Sequence, residues 1–195
     1  MNHNPFNPGY FNEKDLKEFG FKSVGKNVLI AKNCIIIGVE NISIGDNVRI
    51  DGFSTITAAQ PGYLTIGSYV HIGGYCAIFA GAGVEMKDFS GLSQGVKIYS
   101  TSDNYSGSAM TNPMVPPEYT GVIRKPVSLG KHSIVGSQTV VMPGVEIAEG
   151  CAIGANSLVT KTTESWSIYF GSPAKKLKGR KKKIIDLENQ LLANI

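Results

Sequence analysis

Histidine is the side chain that most often moves a proton near neutral pH, and this chain has three: His3, His71 and His132. The ordinary pKa of histidine lies close to 7, which suits it to general base catalysis. His3 falls in an N-terminal tail. His132 falls in "GKHSIVG", a turn-like segment that favours a structural role. His71 is therefore the candidate base, with a polar position at a subunit interface as the alternative.

A second group with chemical potential is "TSDNYS", which places a carboxylate, an amide and a phenol side by side at Asp103, Asn104 and Tyr105. It begins the segment 99–126, whose length is unusual inside a compact domain and indicates a functional or disordered loop. Tyrosines, methionines and prolines in this segment favour an arm that docks on a neighbouring subunit. A surface insertion without a role is the alternative.

An internal repeat must position these groups, because an aliphatic residue recurs every six positions through most of the chain. The pattern stops before the segment 99–126 and resumes after it. The recurring residues are Ile30, Ile36, Ile44, Ile50, Ile56, Ile66, Ile72, Ile78, Met86, Leu92, Ile98, Leu129, Val135, Val141, Ile147, Ile153 and Val159.

A second set of inward residues lies two positions before each recurring aliphatic residue. It includes several valines, small serines and all three cysteines, Cys34, Cys76 and Cys151. Inward residues two apart are typical of a very short strand, and glycine with Asp or Asn next to it is typical of a turn. Three strand–turn units closing a triangle, stacked coil on coil, predict an all-β solenoid of parallel strands. The position of His71, directly before Ile72, predicts that its side chain points outward.

Both ends depart from the repeat. "NEKDLKEFGF" predicts a short helix with Asn12 as its N-cap and with Leu16 and Phe19 on one face. "KKKIIDLENQLLANI" predicts a C-terminal helix with a stripe of Ile184, Leu187 and Leu191. We therefore divide the chain into an N-terminal cap (1–24), a β-helix domain (25–175) that contains the loop 99–126, and a C-terminal helix (176–195).

Three quoted stretches extend the pattern into a family resemblance: "KPVSLG" after the loop, the repeats "VGSQTVVMPGVEIAEGCAIGANSLVTK", and the closing "GSPAKKLK". Together they resemble the hexapeptide-repeat O-acetyltransferases, such as the galactoside, maltose and xenobiotic acetyltransferases. The resemblance covers most of the chain. It implies a left-handed parallel β-helix, a homotrimer, and acetyl-CoA bound in the groove between two β-helices.

The resemblance also implies which positions contact the coenzyme. Small residues lie where a pantetheine arm approaches the backbone, and hydroxyl and basic residues lie where the coenzyme phosphates bind, a chemistry that suits phosphate in any fold. A solvated basic tail that touches nucleic acid or lipid non-specifically is the alternative for "GRKKK". The implied coenzyme contacts are Gly136, Ser137, Gly154, Ala155, Thr160, Lys161, Lys175 and Lys178.

The chain departs from those relatives at the start of the loop, where they have a catalytic histidine and this sequence has "TSDNYS". We therefore predict His71 as the general base, with Asp103 orienting it from the neighbouring chain or binding the acceptor. The resemblance places acceptor contacts at the position of His71 and at Gly73, and we predict Asn104 and Tyr105 as further acceptor contacts. An amine acceptor, with its lower pKa, needs a dedicated base less than a hydroxyl does.

We expect acetyl transfer from acetyl-CoA to a hydroxyl of a sugar or glycan precursor, in the setting of surface-polysaccharide modification. One alternative is N-acetylation of a nucleotide-linked amino sugar, and another is a non-catalytic β-helix scaffold. Zinc chemistry like that of β-helix carbonic anhydrases is disfavoured, since the histidines are widely spaced and the cysteines point inward.

Composition sets wider limits. The chain has 195 residues, 42% hydrophobic and 17% charged, which is typical of one globular domain. Its net charge of +4 comes from "KKLKGRKKK" near the C-terminus. We expect no signal peptide, no membrane span, no disulfide framework, no metal and no nucleic-acid partner, and we expect a cytoplasmic location.

Overall fold

The structure is a computed structural model that describes residue 4 and residues 6–194, so His3 lies outside the described residues. The α-helices are α1 (Glu13–Glu18) and α2 (Lys183–Leu192), and 3-10 turns occupy Val39–Asn41 and Pro117–Tyr119. In chain order the strands are β1 (Tyr10–Phe11), β2 (Ser23–Val24), β3 (Val28–Ala31), β4 (Ile35–Ile37), β5 (Ile42–Ile44), β6 (Val48–Ile50), β7 (Thr55–Thr57), β8 (Leu64–Ile66), β9 (His71–Ile72), β10 (Ala77–Phe79), β11 (Val84–Met86), β12 (Gly91–Leu92), β13 (Lys97–Tyr99), β14 (Thr101–Ser102), β15 (Ile123–Arg124), β16 (Val127–Leu129), β17 (Ile134–Val135), β18 (Val140–Val141), β19 (Glu146–Ile147), β20 (Ala152–Ile153), β21 (Leu158–Val159), β22 (Ser167–Phe170) and β23 (Lys175–Gly179).

Three sheets form the walls of a triangular solenoid. Sheet A has the order β1-β3-β6-β9-β12-β17-β20-β22-β23, sheet B has β2-β5-β8-β11-β16-β19, and sheet C has β4-β7-β10-β13-β18-β21. The chain passes from A to C to B and returns to A one coil higher. The fold is a left-handed parallel β-helix of about seven coils, as predicted. Among the residues that the structure describes, only the strands at the two ends of sheet A, β1 and β23, join it antiparallel.

The predicted repeat matches the strand register. In sheet A, Ile30 pairs with Ile50, Ile50 with Ile72, and Ile72 with Leu92, so the recurring aliphatic residues form a continuous internal column. These side chains are at most 2% exposed. Each coil therefore buries apolar surface against the coils above and below, the usual source of stability in a solenoid.

The cysteines also lie where the repeat places them. Cys76 and Cys151 are buried and Cys34 is half-buried, and all three are free thiols. Burial raises the pKa of the Cys76 and Cys151 thiols. Neither thiol is thus prepared for nucleophilic chemistry at neutral pH.

Turns between sheets create three corners, which we name A–C, C–B and B–A in the order the chain meets them. Non-glycine residues adopt left-handed backbone at the corners, for example Tyr75 (φ 61°) at A–C and His132 (φ 59°) at B–A. This conformation is uncommon for bulky residues, and it directs their side chains out of the corner, where residues of successive coils stack.

In the N-terminal cap, helix α1 begins after Asn12, as predicted. Asn12 accepts hydrogen bonds from the backbone N–H groups of Lys14 and Asp15, and the Asp15 side chain completes a capping box. Leu16 is 1% exposed, whereas Phe19 is 45% exposed and packs edge-on against Phe11. Strand β1 pairs with β3 and so protects the lower edge of sheet A.

At the C-terminus the helix begins later than the predicted boundary of 176, because residues 175–179 form β23, which pairs with β22. The buried residue of α2 is Glu188, while Leu187 and Leu191 are 51% and 43% exposed. In the described part of the chain, no helix combines the length and apolar character needed to cross a membrane.

The long loop leaves the C–B corner after β13. Its two ends pair as β14 and β15, and the residues between them project from the solenoid. Tyr105 and Met114 in the projecting part are 86% and 89% exposed. Exposed apolar side chains on this scale are consistent with the predicted docking arm, which remains a prediction.

Candidate active site

His71 lies on the outer face of sheet A, and its side chain is 52% exposed, as its phase in the repeat predicts. Strand β9 places it beside Arg49 of the coil below and Gly91 of the coil above. Nε2 of His71 lies 2.8 Å from Oδ2 of Asp51. The imidazole is therefore held by a carboxylate of its own chain.

Asp51 is the centre of this cluster. Its Oδ1 accepts hydrogen bonds from Arg49 Nε at 2.7 Å and from the Tyr10 hydroxyl at 2.8 Å. Burial raises the pKa of Asp51, but hydrogen bonds from His71, Arg49 and Tyr10 outweigh that effect, and the net pKa is lowered. The same bond to Asp51 raises the pKa of Tyr10.

The ionised state of Asp51 fixes the state of the histidine ring. An ionised carboxylate can only accept hydrogen bonds, so Nε2 of His71 carries a proton and donates it to Asp51. In neutral His71 the lone pair then lies on Nδ1, the other ring nitrogen. The ring can accept a proton there while it stays anchored to Asp51.

Glycines shape the surface next to His71. A Cβ on Gly91 would come within 3.5 Å of the His71 carbonyl oxygen and 3.3 Å of Ile134 Cδ1. Gly91, His71 and Ile134 line a cavity of about 510 Å³ on this face. Gly73 is different: a Cβ there would lie 2.9 Å from the Gln94 backbone nitrogen. Gly73, a predicted acceptor contact, is closed off by the next coil.

Asp103 lies on another side of the solenoid, in a cavity of about 680 Å³ between the C–B corner and the loop. Tyr105 and Arg124 also line this cavity. The Asn104 side chain closes a local turn by accepting from the Ser106 backbone N–H and donating to the Ser108 hydroxyl. Within one chain the structure does not bring Asp103 to His71, because the two residues extend from different faces.

The positions expected to contact the coenzyme fall into three places. Gly136, Ser137, Gly154 and Ala155 stack at the A–C corner in the upper coils. Thr160 and Lys161 follow β21 at the next corner, and Lys175 and Lys178 belong to β23. The lysines and Thr160 are exposed. A Cβ on Gly136 would lie 2.5 Å from the Ala155 backbone nitrogen, which shows how closely these coils approach.

His132 is committed to a buried network at the B–A corner. Its Nε2 lies 2.7 Å from Glu188 Oε2, its ring stacks on Phe89, and Arg180 donates to its carbonyl oxygen. Through its contact with Glu188, His132 anchors the C-terminal helix α2 to the solenoid. Across residue 4 and residues 6–194, no group of three His, Cys, Asp or Glu side chains could hold a metal ion.

Two family models match the chain: bacterial transferase hexapeptide (six repeats) over residues 123–161, and hexapeptide repeat of succinyl-transferase over residues 23–58. The chain is 44% identical over 180 residues to a dTDP-4-amino-4,6-dideoxy-D-glucose acyltransferase of Escherichia coli, a match covering 92% of this chain and 93% of that protein. This chain belongs to the hexapeptide-repeat acyltransferases.

Solved structures of hexapeptide-repeat acyltransferases agree with the fold. AntD, an N-acyltransferase from Bacillus cereus solved with dTDP and 3-hydroxybutyryl-CoA, matches with a TM-score of 0.92 and 43% identity over 97% of this chain and 98% of that one. A maltose O-acetyltransferase from Clostridium difficile 630 matches with a TM-score of 0.59 and 22% identity over 87% of this chain and 75% of that one. The second likeness shows the fold alone.

The predicted transfer to a sugar hydroxyl is wrong. Two relatives that match nearly the whole chain are an acyltransferase named for a dTDP-linked amino sugar and an N-acyltransferase. The motifs "KPVSLG" and "GSPAKKLK" are typical of the fold and lie in the part of the chain predicted to bind the coenzyme. They do not distinguish a hydroxyl acceptor from an amine acceptor. The loop without a histidine is the feature that points away from a hydroxyl.

Sequence reasoning also missed the partners of His71. Arg49 and Asp51 flank Ile50 and Tyr10 lies in the N-terminal cap, so none belongs to a recognisable motif. A usable signal exists in the repeat: Arg49 and Ile50 hold the same phase in their coil as His71 and Ile72. Outward residues in phase on consecutive coils become neighbours.

Proposed function

We propose that this acyltransferase moves an acyl group from acyl-CoA to the amino group of dTDP-4-amino-4,6-dideoxyglucose. The observation that carries the proposal is the near full-length similarity to the Escherichia coli and Bacillus cereus acyltransferases. A mutant of AntD has been solved with dTDP-4-amino-4,6-dideoxyglucose and coenzyme A, which supports the same acceptor and donor classes here.

The chemistry of the loop supports an amine acceptor. An amine is a nucleophile in its neutral form, whereas a hydroxyl must lose its proton as it attacks. The amine nitrogen forms a bond to the thioester carbonyl carbon, the C–S bond breaks, and the nitrogen loses one proton. Asp103 can accept a hydrogen bond from the amino group and hold it in place, as a carboxylate does for a cationic or polar N–H donor.

In this proposal Nδ1 of His71 accepts the proton that the amine loses, and the coenzyme leaves as a thiol after taking up one proton. Asp51 keeps the ring oriented during this transfer. The two proposed groups lie on different faces of one chain, so a site that uses both is formed between chains. We therefore propose a homotrimer in which the loop of one subunit meets sheet A of the next.

The A–C corner above this site is the proposed binding surface of acyl-CoA. Gly136, Ser137, Gly154 and Ala155 supply a backbone-lined surface at the corner. Thr160, Lys161, Lys175 and Lys178 supply exposed hydroxyl and ammonium groups for the coenzyme phosphates. Acetyl-CoA is the first donor to test, followed by 3-hydroxybutyryl-CoA.

The direct test follows thiol release while the purified protein is incubated with each acyl-CoA and dTDP-4-amino-4,6-dideoxyglucose, with mass spectrometry of the nucleotide product. We expect an amide product of increased mass. The control acceptor is dTDP-glucose, which offers only hydroxyls. Equal or faster thiol release with dTDP-glucose would overturn the proposal, as would the absence of any product from the amino sugar.

A further inference from the structure

The N-terminal cap brings one side chain to the cluster around His71. Strand β1 pairs antiparallel with β3 and aligns Tyr10 with Ala31, at the lower edge of sheet A. The Tyr10 hydroxyl reaches the coil above and donates a hydrogen bond of 2.8 Å to Oδ1 of Asp51. The backbone of β1 alone is enough to protect the sheet edge, so the hydroxyl contact has a separate effect.

The repeat leaves the lower side of Asp51 to a residue from outside the solenoid. Ala31 follows Ile30 as Asp51 follows Ile50 in the next coil, so Ala31 and Asp51 occupy the same phase of the repeat. A methyl group at Ala31 cannot donate a hydrogen bond to the carboxylate above it. Tyr10 supplies that donor, because β1 runs beside Ala31.

The position of Tyr10 is fixed by the residues on both sides of it. The Lys32 backbone N–H donates to the Gly9 carbonyl oxygen at 3.1 Å. The Phe11 ring packs edge-on against Phe19, with centroids 4.9 Å apart. The Tyr10 hydroxyl is therefore presented by a well-anchored part of the cap.

The two oxygens of Asp51 make different contacts. Oδ1 accepts from the Tyr10 hydroxyl and from Arg49 Nε, whereas Oδ2 accepts from Nε2 of His71. The Arg49 guanidinium also lies 5.4 Å from the centroid of the Tyr10 ring, so the two donors hold each other. Two donors on Oδ1 limit rotation of the carboxylate about its Cβ–Cγ bond. The position of Oδ2, and with it the His71 ring, therefore depends on Tyr10.

We propose that Tyr10 is a positioning residue for acyl transfer, acting through Asp51 on the ring of His71. This inference rests on the proposed function, in which Nδ1 of His71 accepts the proton that the amine loses. Tyr10 touches no reacting atom in this role, and no bond to it forms or breaks. A displacement of about 1 Å at a reacting group can lower a rate about 10²-fold, so a residue that orients the ring affects kcat. The N-terminal cap then serves the active site as well as the sheet edge.

The test is steady-state kinetics of the wild type, Tyr10→Phe, His71→Asn and the double variant, with acyl-CoA and dTDP-4-amino-4,6-dideoxyglucose. Tyr10→Phe keeps the ring beside Arg49 and removes only the hydroxyl. We expect it to lower kcat about three- to tenfold, with little change in KM for acyl-CoA. In the His71→Asn background the same substitution should leave kcat unchanged, because the ring through which the hydroxyl acts is absent.

Tyr63→Phe is the matched control. The Tyr63 hydroxyl donates to Glu85 of sheet B at 3.0 Å, away from His71, so its loss should leave kcat at the wild-type value. Equal loss of kcat from Tyr10→Phe in both backgrounds would overturn the inference, because the hydroxyl would then only stabilise the cap. Full kcat in Tyr10→Phe would also overturn it. Either result leaves the proposed function intact, whereas a wild type that does not acylate the amino sugar overturns both.

Discussion

Asp51 and His71 extend from neighbouring coils of sheet A and share a hydrogen bond of 2.8 Å between Oδ2 and Nε2. His71 also lines the cavity that Gly91 and Ile134 border, so the anchored ring lies at the edge of an open space. A histidine placed only to fill an interface would not need a carboxylate that is itself fixed by Arg49 and Tyr10.

Replacing the ring tests its proposed role as proton acceptor. We expect His71→Asn to lower kcat by about 10²-fold, within the range for loss of a general base, while KM for acyl-CoA changes little. Steady-state kinetics with dTDP-4-amino-4,6-dideoxyglucose give both constants. Wild-type kcat in His71→Asn would contradict the role.

Asp51→Asn tests the carboxylate as a positioning residue. A carboxamide can donate to Nε2 and so favour the tautomer with the proton on Nδ1, which cannot accept the amine proton. We expect kcat to fall about tenfold, less than in His71→Asn. Asp51→Glu keeps a carboxylate that can only accept a hydrogen bond, so we expect it to retain more of the wild-type kcat than Asp51→Asn. Equal losses in the two variants would indicate a merely structural role.

The proposed homotrimer predicts complementation between subunits. His71→Asn and Asp103→Asn each disable every site in a pure trimer, but mixed trimers contain interfaces with an intact residue from each chain. Random mixing of equal amounts restores about a quarter of the sites. Activity of the co-expressed pair near that fraction supports a shared site, whereas activity no higher than either pure variant argues for sites within one chain.

The internal columns of the solenoid can be predicted from the sequence, because each buried position must hold an apolar residue and these positions recur at a regular spacing. Ile30, Ile50 and Ile72 recur at positions that a strand and turn of fixed length must bring into register. The outer face has no such constraint. The Asp51–His71 pair depends on which residues lie outward in adjacent coils, and a separation of twenty residues does not resemble any local motif.

Two further features escape the hydrophobic pattern for physical reasons. The stripe of Ile184, Leu187 and Leu191 predicts the α2 helix. The residue that this helix buries is Glu188, because the Lys131 ammonium group and the His132 ring contact its carboxylate at the corner. The spacing of apolar residues in a sequence carries no information on which charged residues form ion pairs. Asp103 and His71 do not meet within one chain, and contacts between chains leave no periodic signal.

Gly73 and Gly91 border the same histidine but should respond differently to substitution. Gly73→Ala places a methyl group against the Gln94 backbone, which cannot yield, and we expect a loss of about 1–3 kcal/mol in unfolding free energy. Gly91→Ala meets only the flexible end of Ile134 and the histidine carbonyl. Urea unfolding should show Gly91→Ala close to wild type, while its kinetics show a raised KM for the amino sugar; equal destabilisation by both variants would contradict the packing.

The contacts of Glu188 in α2 with Lys131 and His132 predict a pH-dependent contribution to stability. The hydrogen bond from Lys131 lowers the pKa of Glu188, burial opposes this, and the His132 bond lowers it further. A carboxyl with a depressed folded pKa stabilises the protein above the ordinary glutamate range, near 4.3, and loses that contribution as pH falls through the folded pKa.

We therefore expect Glu188→Gln to lower the thermal unfolding temperature at pH 7 by about 2–10 °C. The difference from wild type should shrink as the pH is lowered through 4, because protonation removes the same charge. Asp186→Asn, which removes a charge from an exposed position of the same helix, is the matched control and should change the temperature little. Scanning calorimetry across this pH range measures both unfolding temperatures. If the difference between wild type and Glu188→Gln does not vary with pH, Glu188 acts through packing rather than through its charge.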